Sequence, residues 1–236
     1  MATRAESRSA PRISLSRERV LRAAVDVADR GGIESLTMRR LADELGAEAM
    51  SLYYHVANKD AVLDGVVDVI AEEINDVVDG IGVSAVGASW KAAVRQQILA
   101  ARQVLLRHPW APRLLESRTG MSPALVRYHD ALIGLMRAGG LSYDLIHHGM
   151  HALGSRALGF TQELFDPGDG GGDDPEAALE GMAEQVPHIV GMLSEIAHDD
   201  PDSTLGWCDD QTEFEFALDL ILDGLERKHD ASKAAL

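Results

Sequence analysis

Apolar residues recur every three or four positions along most of the chain, the spacing that places side chains on one face of a helix. Val20, Leu21, Ala24 and Val27 form the first such stripe. Alternating β-branched residues, the pattern of a strand, are nearly absent, and aromatic residues make up only 5% of the chain. The sequence therefore predicts an all-α fold.

Capping and turn residues divide the N-terminal region into three short helices. Ser16 is a good N-cap for the first helix, and the glycine pair at 31–32 ends it. Thr37 can cap a second helix, Gly46 follows as the turn, and a third helix is predicted over roughly 48–54. Two helices joined by a tight turn are the helix-turn-helix pattern, whose second helix enters the major groove of DNA.

Helical spacing continues beyond Asn58, which is placed to cap a fourth helix. A Gly- and Asp-rich loop at 166–175 interrupts it. The predicted helical segments of this part of the chain are about 89–107, 109–118, 122–138, 142–165, 176–197 and 210–228.

The acidic residues lie mostly in the later part of the chain. Residues 1–60 carry ten basic and nine acidic side chains, whereas the remainder carries twelve basic and twenty-nine acidic ones. A nearly neutral head can bind DNA even though the whole chain has a net charge of −16. We therefore predict a basic arm at 1–12, a helix-turn-helix DNA-binding domain at 13–60, and a larger helical domain at 61–230.

The predicted third helix carries polar and aromatic side chains around one core contact, Leu52. Ser51 and Tyr53 can bond to phosphate or base edges, and Ala49 and Met50 can contact thymine methyl groups. A tyrosine or histidine on a short helix more often packs or faces water, so these residues alone leave the DNA-binding interpretation open.

Consecutive pieces of the first 70 residues resemble the DNA-binding domain of the tetracycline-repressor (TetR) family. They read ADRGG, then GIESLTMRRLADELG, then SLYYHVANKDAVL. The resemblance implies a transcription regulator that binds double-stranded operator DNA. The residues that it places against DNA are Thr37, Arg39, Ala49, Met50, Ser51, Tyr53, Tyr54, His55 and Lys59.

The later stretch beginning LLRHPWAPRLLESRTGM resembles the effector domain of the same family. This resemblance implies a small-molecule effector, a homodimer formed through a four-helix bundle, and release of a repressor from its operator. The bundle helices would be those at 142–165 and 210–228. The second has an apolar face suited to a helix–helix seam, made of Phe214, Ala217, Leu218, Ile221 and Leu225.

Several residues of the predicted effector domain suit an apolar pocket with a few polar anchors. Each is also a reasonable core or junction residue, and methionine in particular often fills cores. The candidates for effector binding are His108, Trp110, Arg118, Met121, Met136, His151 and Phe160.

Three histidines, His147, His148 and His151, share a helical face and could bind zinc. The sequence has no HExxH motif, and no cysteine lies near them. We expect packing or contact with an organic ligand instead, and hence no metal, no cofactor and no enzyme. The alternatives are a metal-binding helical enzyme using these histidines, or a DNA-binding protein without an effector.

The location of the protein follows from what its sequence lacks. Cys208 has no partner for an internal disulfide, and no apolar run is long enough to span a bilayer. The basic N-terminus is not followed by the apolar segment of a secretion signal. A cytoplasmic protein without a membrane partner is therefore expected.

Overall fold

A computed structural model describes residues 14–81, 89–118, 122–158 and 210–234, together with positions 185, 187, 188 and 191. The four continuous ranges form nine α-helices and one short 3-10 turn, and no strand occurs among the described residues. The predicted all-α fold is confirmed. Across these same ranges, no helix combines the length and the apolar character needed to cross a bilayer.

The α-helices are, in chain order, α1 (Arg17–Gly31), α2 (Met38–Leu45), α3 (Ala49–Leu52), α4 (Lys59–Gly80), α5 (Trp90–Arg107), α6 (Ala111–Ser117), α7 (Pro123–Ala138), α8 (Tyr143–Leu158) and α9 (Asp210–Ala234). The 3-10 turn, Ile33–Ser35, joins α1 to α2. The predicted arm at 1–12 and the loop at 166–175 lie outside the described residues. Most of the predicted helix at 176–197 does too, although positions 187, 188 and 191 are helical.

The three predicted N-caps of the first 60 residues are confirmed. Ser16, Thr37 and Asn58 each accept a hydrogen bond from the backbone N–H three residues further along. The distances are 3.2, 3.1 and 2.8 Å. Each side chain thereby satisfies one of the backbone donors that a helix leaves unpaired at its start.

The turn between α2 and α3 is made by Gly46, whose φ of 61° and ψ of 37° are left-handed. A residue with a side chain is disfavoured in this conformation. The helix that follows is shorter than predicted, because α3 ends at Leu52. Beyond it the N–H groups of Tyr54 and His55 bond to carbonyls three residues back, which tightens the chain into a turn.

The first three helices and the start of α4 share one core. Val20, Leu41, Leu52 and Val62 from these four helices are buried. Helices α1 and α4 approach closely at Gly65, where a Cβ atom would lie 2.6 Å from a methyl carbon of Leu21. The helix-turn-helix unit thus packs on α1, and α1 packs on α4.

The second half of α4 packs against α5 and α7. Its buried Asn75 donates hydrogen bonds from the side-chain amide to the carbonyls of Ala71 and Ala124, both at 2.9 Å. The described residues divide into two compact units, one up to Gly140 and one from Leu141. The predicted boundary after residue 60 falls at the start of α4, inside the first unit.

The second unit contains α8 and α9, which pack against each other. A Cβ atom on Gly149 of α8 would lie 3.0 Å from a methyl carbon of Leu225 on α9. This tight approach explains why a glycine occupies the α8 face that meets α9.

Candidate nucleic-acid interface

The nine residues predicted to face DNA lie at the N-cap of α2, on α2 and α3, in the turn after α3 and at the first residue of α4. All have side chains at least partly accessible to solvent. Those that are exposed are Thr37, Arg39, Met50, Tyr53, Tyr54 and Lys59, and those that are half-buried are Ala49, Ser51 and His55. Leu52 and Val56, predicted as core contacts, are buried. The core side of this segment is therefore separate from the side available for contact.

Large side chains with apolar surface project from this segment into solvent. Tyr54 is 89% exposed, Met50 71% and Tyr53 44%. Exposed apolar groups that lie close together mark a surface that meets a partner more often than scattered single residues do. Tyrosine also carries a hydroxyl that can bond to phosphate or to a base edge.

Two hydroxyl groups in this region form local hydrogen bonds, one as a donor and the other as an acceptor. Ser51 donates its hydroxyl hydrogen to the carbonyl of Glu48 at 2.6 Å, so its oxygen is left as an acceptor. The Thr37 oxygen accepts from the N–H of Arg40, so its hydroxyl hydrogen can still be donated. Phosphate oxygens only accept, so Thr37 suits a phosphate contact and Ser51 suits the amino group of a base.

The first turns of α4 are bonded to the end of α6 by Arg118. Its guanidinium donates to the carboxylate of Asp64 at 2.7 Å, and to the carboxylate and carbonyl of Asp60 at 3.3 and 3.2 Å. The hydrogen bond with Asp64 raises the pKa of Arg118; burial opposes this effect, and the bond with Asp60 adds to it. Arg118, a predicted effector contact, thus has its donors directed at α4.

His108 and Trp110, also predicted effector contacts, lie where α5 ends and α6 begins, and both are buried. The Nδ1 atom of His108 lies 2.7 Å from the carboxylate of Asp29 on α1, and its Nε2 atom lies 3.2 Å from Glu73 on α4. The indole N–H of Trp110 donates to the same Asp29 oxygen at 2.7 Å. An effector that bonded to these polar atoms would have to displace a carboxylate.

Sequence reasoning did not identify Asp29 and Glu73 as partners. They are 79 and 35 residues away from His108 along the chain. Asp29 belongs to the ADRGG stretch, which carries no signal for a contact with His108, and Glu73 belongs to no motif, so no local pattern pointed to either contact. Of the other predicted effector contacts, Met136 is fully buried in α7 and His151 is exposed on α8, while Met121 and Phe160 lie outside the described residues.

The histidine cluster on α8 is exposed. The rings of His147 and His151 meet edge to face with centroids 4.6 Å apart. His148 places its Nε2 atom 4.0 Å from a carboxylate oxygen of Asp144. Within the described ranges, no three His, Cys, Asp or Glu side chains are arranged to hold a metal ion.

Helix α9 has two apolar faces rather than one. Phe214, Leu218 and Leu225, predicted to form a seam between subunits, are buried within the chain, and Leu218 is only 1% exposed. Ala217 and Ile221 are half-buried. Phe216 and Leu220 lie one helical turn apart on a different face and are 62% and 54% exposed. Phe214, Leu218 and Leu225 thus pack within the chain, and the seam between subunits stays a prediction.

Two family models match this chain. Residues 20–66 match the model described as bacterial regulatory proteins, tetR family. Residues 85–229, more than half of the chain, match the tetracyclin repressor-like C-terminal domain. The first match covers the helix-turn-helix region, and the second covers the helices that follow α4.

Relatives of this chain are described as HTH-type transcriptional regulators. An HTH-type transcriptional regulator of Saccharopolyspora erythraea is 38% identical over 137 residues, which are 58% of this chain and 56% of that protein. The HTH-type transcriptional repressor DrrR1 of Streptomyces coeruleorubidus is 29% identical over 223 residues, which are 92% of this chain and 79% of that protein. The first alignment thus spans little more than half of that relative's length.

A solved structure shares the fold. The TetR family protein ActR of Streptomyces coelicolor, in complex with (S)-DNPA, superposes with a TM-score of 0.68 at 26% sequence identity. The match covers 92% of this chain and 99% of ActR.

Proposed function

This chain belongs to the TetR family of bacterial regulatory proteins, and we propose that it is a homodimeric repressor that a small organic molecule releases from operator DNA. The observation that carries the proposal is the exposed face around α3. Tyr53, Tyr54 and Met50 project into solvent there, while Leu52 anchors the same short helix in the core. Helix-turn-helix units present this helix to the major groove.

The proposed DNA contacts divide by chemistry. Arg39, Lys59 and Thr37 offer charge or a hydroxyl hydrogen to phosphate, which fixes position but carries little sequence information. Ala49, Met50, Ser51, Tyr53, Tyr54 and His55 are the proposed readers of base edges and neighbouring sugar-phosphate. In a two-fold dimer, two such faces would enter successive major grooves about 34–36 Å apart.

We place the dimer contact on the exposed face of α9. Phe216 and Leu220 lie one turn apart on the outer side of the packed pair α8 and α9. Two such pairs brought together by a two-fold axis form a four-helix bundle that removes both side chains from water. Burial of side chains of this size is worth on the order of 1.5–3 kcal/mol each.

We propose an organic effector because ActR, which shares the fold, was crystallised with (S)-DNPA, and DrrR1 is described as a repressor. An effector that weakens operator binding must itself be bound more weakly by the operator complex, since the coupling is reciprocal. The individual effector contacts stay a prediction. No catalytic step is part of this proposal. Because operator DNA belongs to the bacterial chromosome, we also propose a cytoplasmic location.

The test is selection of bound fragments from genomic DNA with the full-length chain. We expect one enriched site composed of two inverted half-sites. Tyr54→Ala should lose the enrichment, and Val126→Ala, which trims another exposed apolar side chain on α7, should keep it. Recovery of random fragments by all three proteins would overturn the DNA-reading role.

A compound screen separates the effector-controlled repressor from a DNA-binding protein without an effector. Compounds that raise the melting temperature of the free protein should lower its affinity for the selected site. A compound that stabilised the protein and left operator binding unchanged would argue against the proposed release.

A further inference from the structure

His108 lies between two carboxylates contributed by different helices. Its Nδ1 atom is 2.7 Å from Asp29 of α1, and its Nε2 atom is 3.2 Å from Glu73 of α4. The side chain is only 9% exposed, so water does not compete freely for either ring nitrogen. Asp29 and Glu73 therefore both determine the position of the His108 ring.

The two carboxylates constrain how many N–H groups the His108 ring carries. An ionised carboxylate only accepts hydrogen bonds, and a neutral imidazole has one N–H and one bare nitrogen. A neutral His108 would point a lone pair at either Asp29 or Glu73. Only the imidazolium, with an N–H on both nitrogens, donates to both carboxylates in this arrangement.

The surroundings balance the charge of an imidazolium. The charged groups facing the ring are Asp29 from α1 and Glu73 from α4, and Arg107 of α5 pairs with the other Glu73 oxygen. Helix α6 contributes the neutral indole of Trp110, bonded to Asp29. His108 is also the C-cap of α5, where a cation is stabilised by the helix dipole.

This site connects the helix that supports the DNA-reading unit to the rest of the first compact unit. Asp29 lies in the last turn of α1, and its neighbour Arg30 forms an ion pair with Glu44 of α2 at 2.6 Å. Helix α1 packs on both α2 and α4. The orientation of α2 and α3 thus depends on where the end of α1 is held.

We propose that His108, protonated on both ring nitrogens, is a positioning residue that holds the end of α1 against α4 and the α5–α6 junction, so that operator affinity falls when the ring loses a proton. This inference rests on the proposed operator binding. Raising the pH removes one N–H and leaves a lone pair against a carboxylate. That change weakens the bond to α1 or to α4 without touching any residue at the DNA face.

Glu73→Gln is the decisive variant because a glutamine amide can donate to a bare Nε2. A neutral His108 could then keep both bonds, to Asp29 by donating and to Gln by accepting. Arg107→Gln is the matched control, since it also removes the Arg107–Glu73 pair but leaves His108 between two carboxylates. His55 is present in every protein, so its own effect on DNA binding cancels in the comparison.

Operator affinity is measured for the full-length proteins at constant salt from about pH 6 to pH 8.5, the range in which histidine changes charge. We expect the affinity of the unmodified protein to fall by about 3- to 10-fold more across this range than that of Glu73→Gln. Arg107→Gln should behave as the unmodified protein does. Equal pH dependence in the unmodified protein and Glu73→Gln would overturn the proposal.

The charge state of the ring is read independently from histidine ring ¹⁵N spectra of the free protein. The His108 signal is assigned by its loss in His108→Gln. Two protonated nitrogens are expected at the acidic end of the pH range used for the affinity measurements, and one protonated nitrogen there would overturn the inference. This measurement uses no DNA, so it tests the protonation of His108 whether or not the chain binds an operator. If neither the unmodified chain nor its variants select a DNA site, the proposed function fails and the protonation of His108 can still be read.

Discussion

Side chains of the proposed DNA face differ in what they can still bond to. Ser51 has given its hydroxyl hydrogen to the carbonyl of Glu48, whereas Thr37 uses its oxygen to cap α2. The Tyr53 side chain, 44% exposed, is partly packed, and that of Tyr54 is almost fully in solvent. Such differences assign separate tasks to residues that look equivalent in a list of polar positions.

Tyr53→Phe tests the tyrosine hydroxyl. The change keeps the ring and removes one hydrogen bond, so operator affinity should fall by about 0.5–1.5 kcal/mol. The melting temperature should stay the same, because the ring and its packing remain. Titration against the selected operator and thermal melting check both parts. A parallel loss of stability would show that the hydroxyl serves packing instead.

Lys59→Ala and Ser51→Ala separate charge from base reading. Lys59→Ala should weaken binding to all sequences and reduce the slope of log affinity against log salt by about 1. Ser51→Ala should leave that slope unchanged and reduce discrimination between sites, and the double variant should show both effects. Titrations at several salt concentrations measure this, and a smaller slope for Ser51→Ala would contradict the assignment.

At the level of whole elements, the orientation of α2 and α3 is set by the turn between them, and the packing of α9 is set by which of its apolar faces is buried. Gly46 reverses the chain between α2 and α3 in a left-handed conformation, and a Cβ atom there would meet nothing within 4 Å. Helix α9 turns Leu218 into the chain and Leu220 towards solvent. Backbone conformation therefore determines what Gly46 does, and the direction in which each leucine points determines whether it is buried or exposed.

Gly46→Ala isolates the cost of the turn. Because a Cβ has room, the loss of folding free energy should be that of a left-handed alanine, about 1–2 kcal/mol. Gly134→Ala is the control, since Gly134 is helical and also has open space. It should stabilise by about 0.5–1 kcal/mol. Denaturant unfolding compares them, and an equal effect of the two changes would refute the explanation.

Leu220→Glu and Leu218→Glu distinguish the two faces of α9. Leu220→Glu should produce a monomer that keeps its helical content, because the side chain is exposed in one chain. Leu218→Glu should lose helical content, since it buries a charge inside the chain, and such burial costs several kcal/mol. Sedimentation and circular dichroism report the two outcomes. An unchanged dimer for Leu220→Glu would move the interface elsewhere.

Charge is distributed unevenly along the chain. Residues 1–60 are nearly neutral with an arginine-rich tip, and the acidic excess lies in the remainder of the chain. The acidic residues after position 60 repel DNA phosphates, so binding of DNA to that part of the chain is disfavoured. This arrangement allows a chain with a net charge of −16 to bind DNA through its head.

Deletion of residues 1–12 removes three arginines, Arg4, Arg8 and Arg12. We expect weaker binding to selected and random DNA alike, and a salt slope smaller by up to about 3. The preferred site should be unchanged, because phosphate contacts carry little sequence information. If the deletion altered site preference and left the salt slope intact, the arm would be reading bases.

Local sequence was sufficient wherever the interaction spans a few residues. The caps at Ser16, Thr37 and Asn58 and the turn at Gly46 follow from side-chain and backbone preferences within one helical turn, and all appeared as predicted. The helical content and the exposed face around α3 follow from apolar periodicity. These features need no knowledge of distant segments.

Only packing could decide the partners of His108 and the facing of α9. Asp29 and His108 are 79 residues apart, and their contact depends on how α1, α4 and the α5–α6 junction settle against one another. Leu218 and Leu220 belong to apolar stripes that are equally compatible with helical spacing, and the choice between them is made by where α8 packs. Periodicity shows that a helix has an apolar face, but only neighbouring elements determine which face is buried.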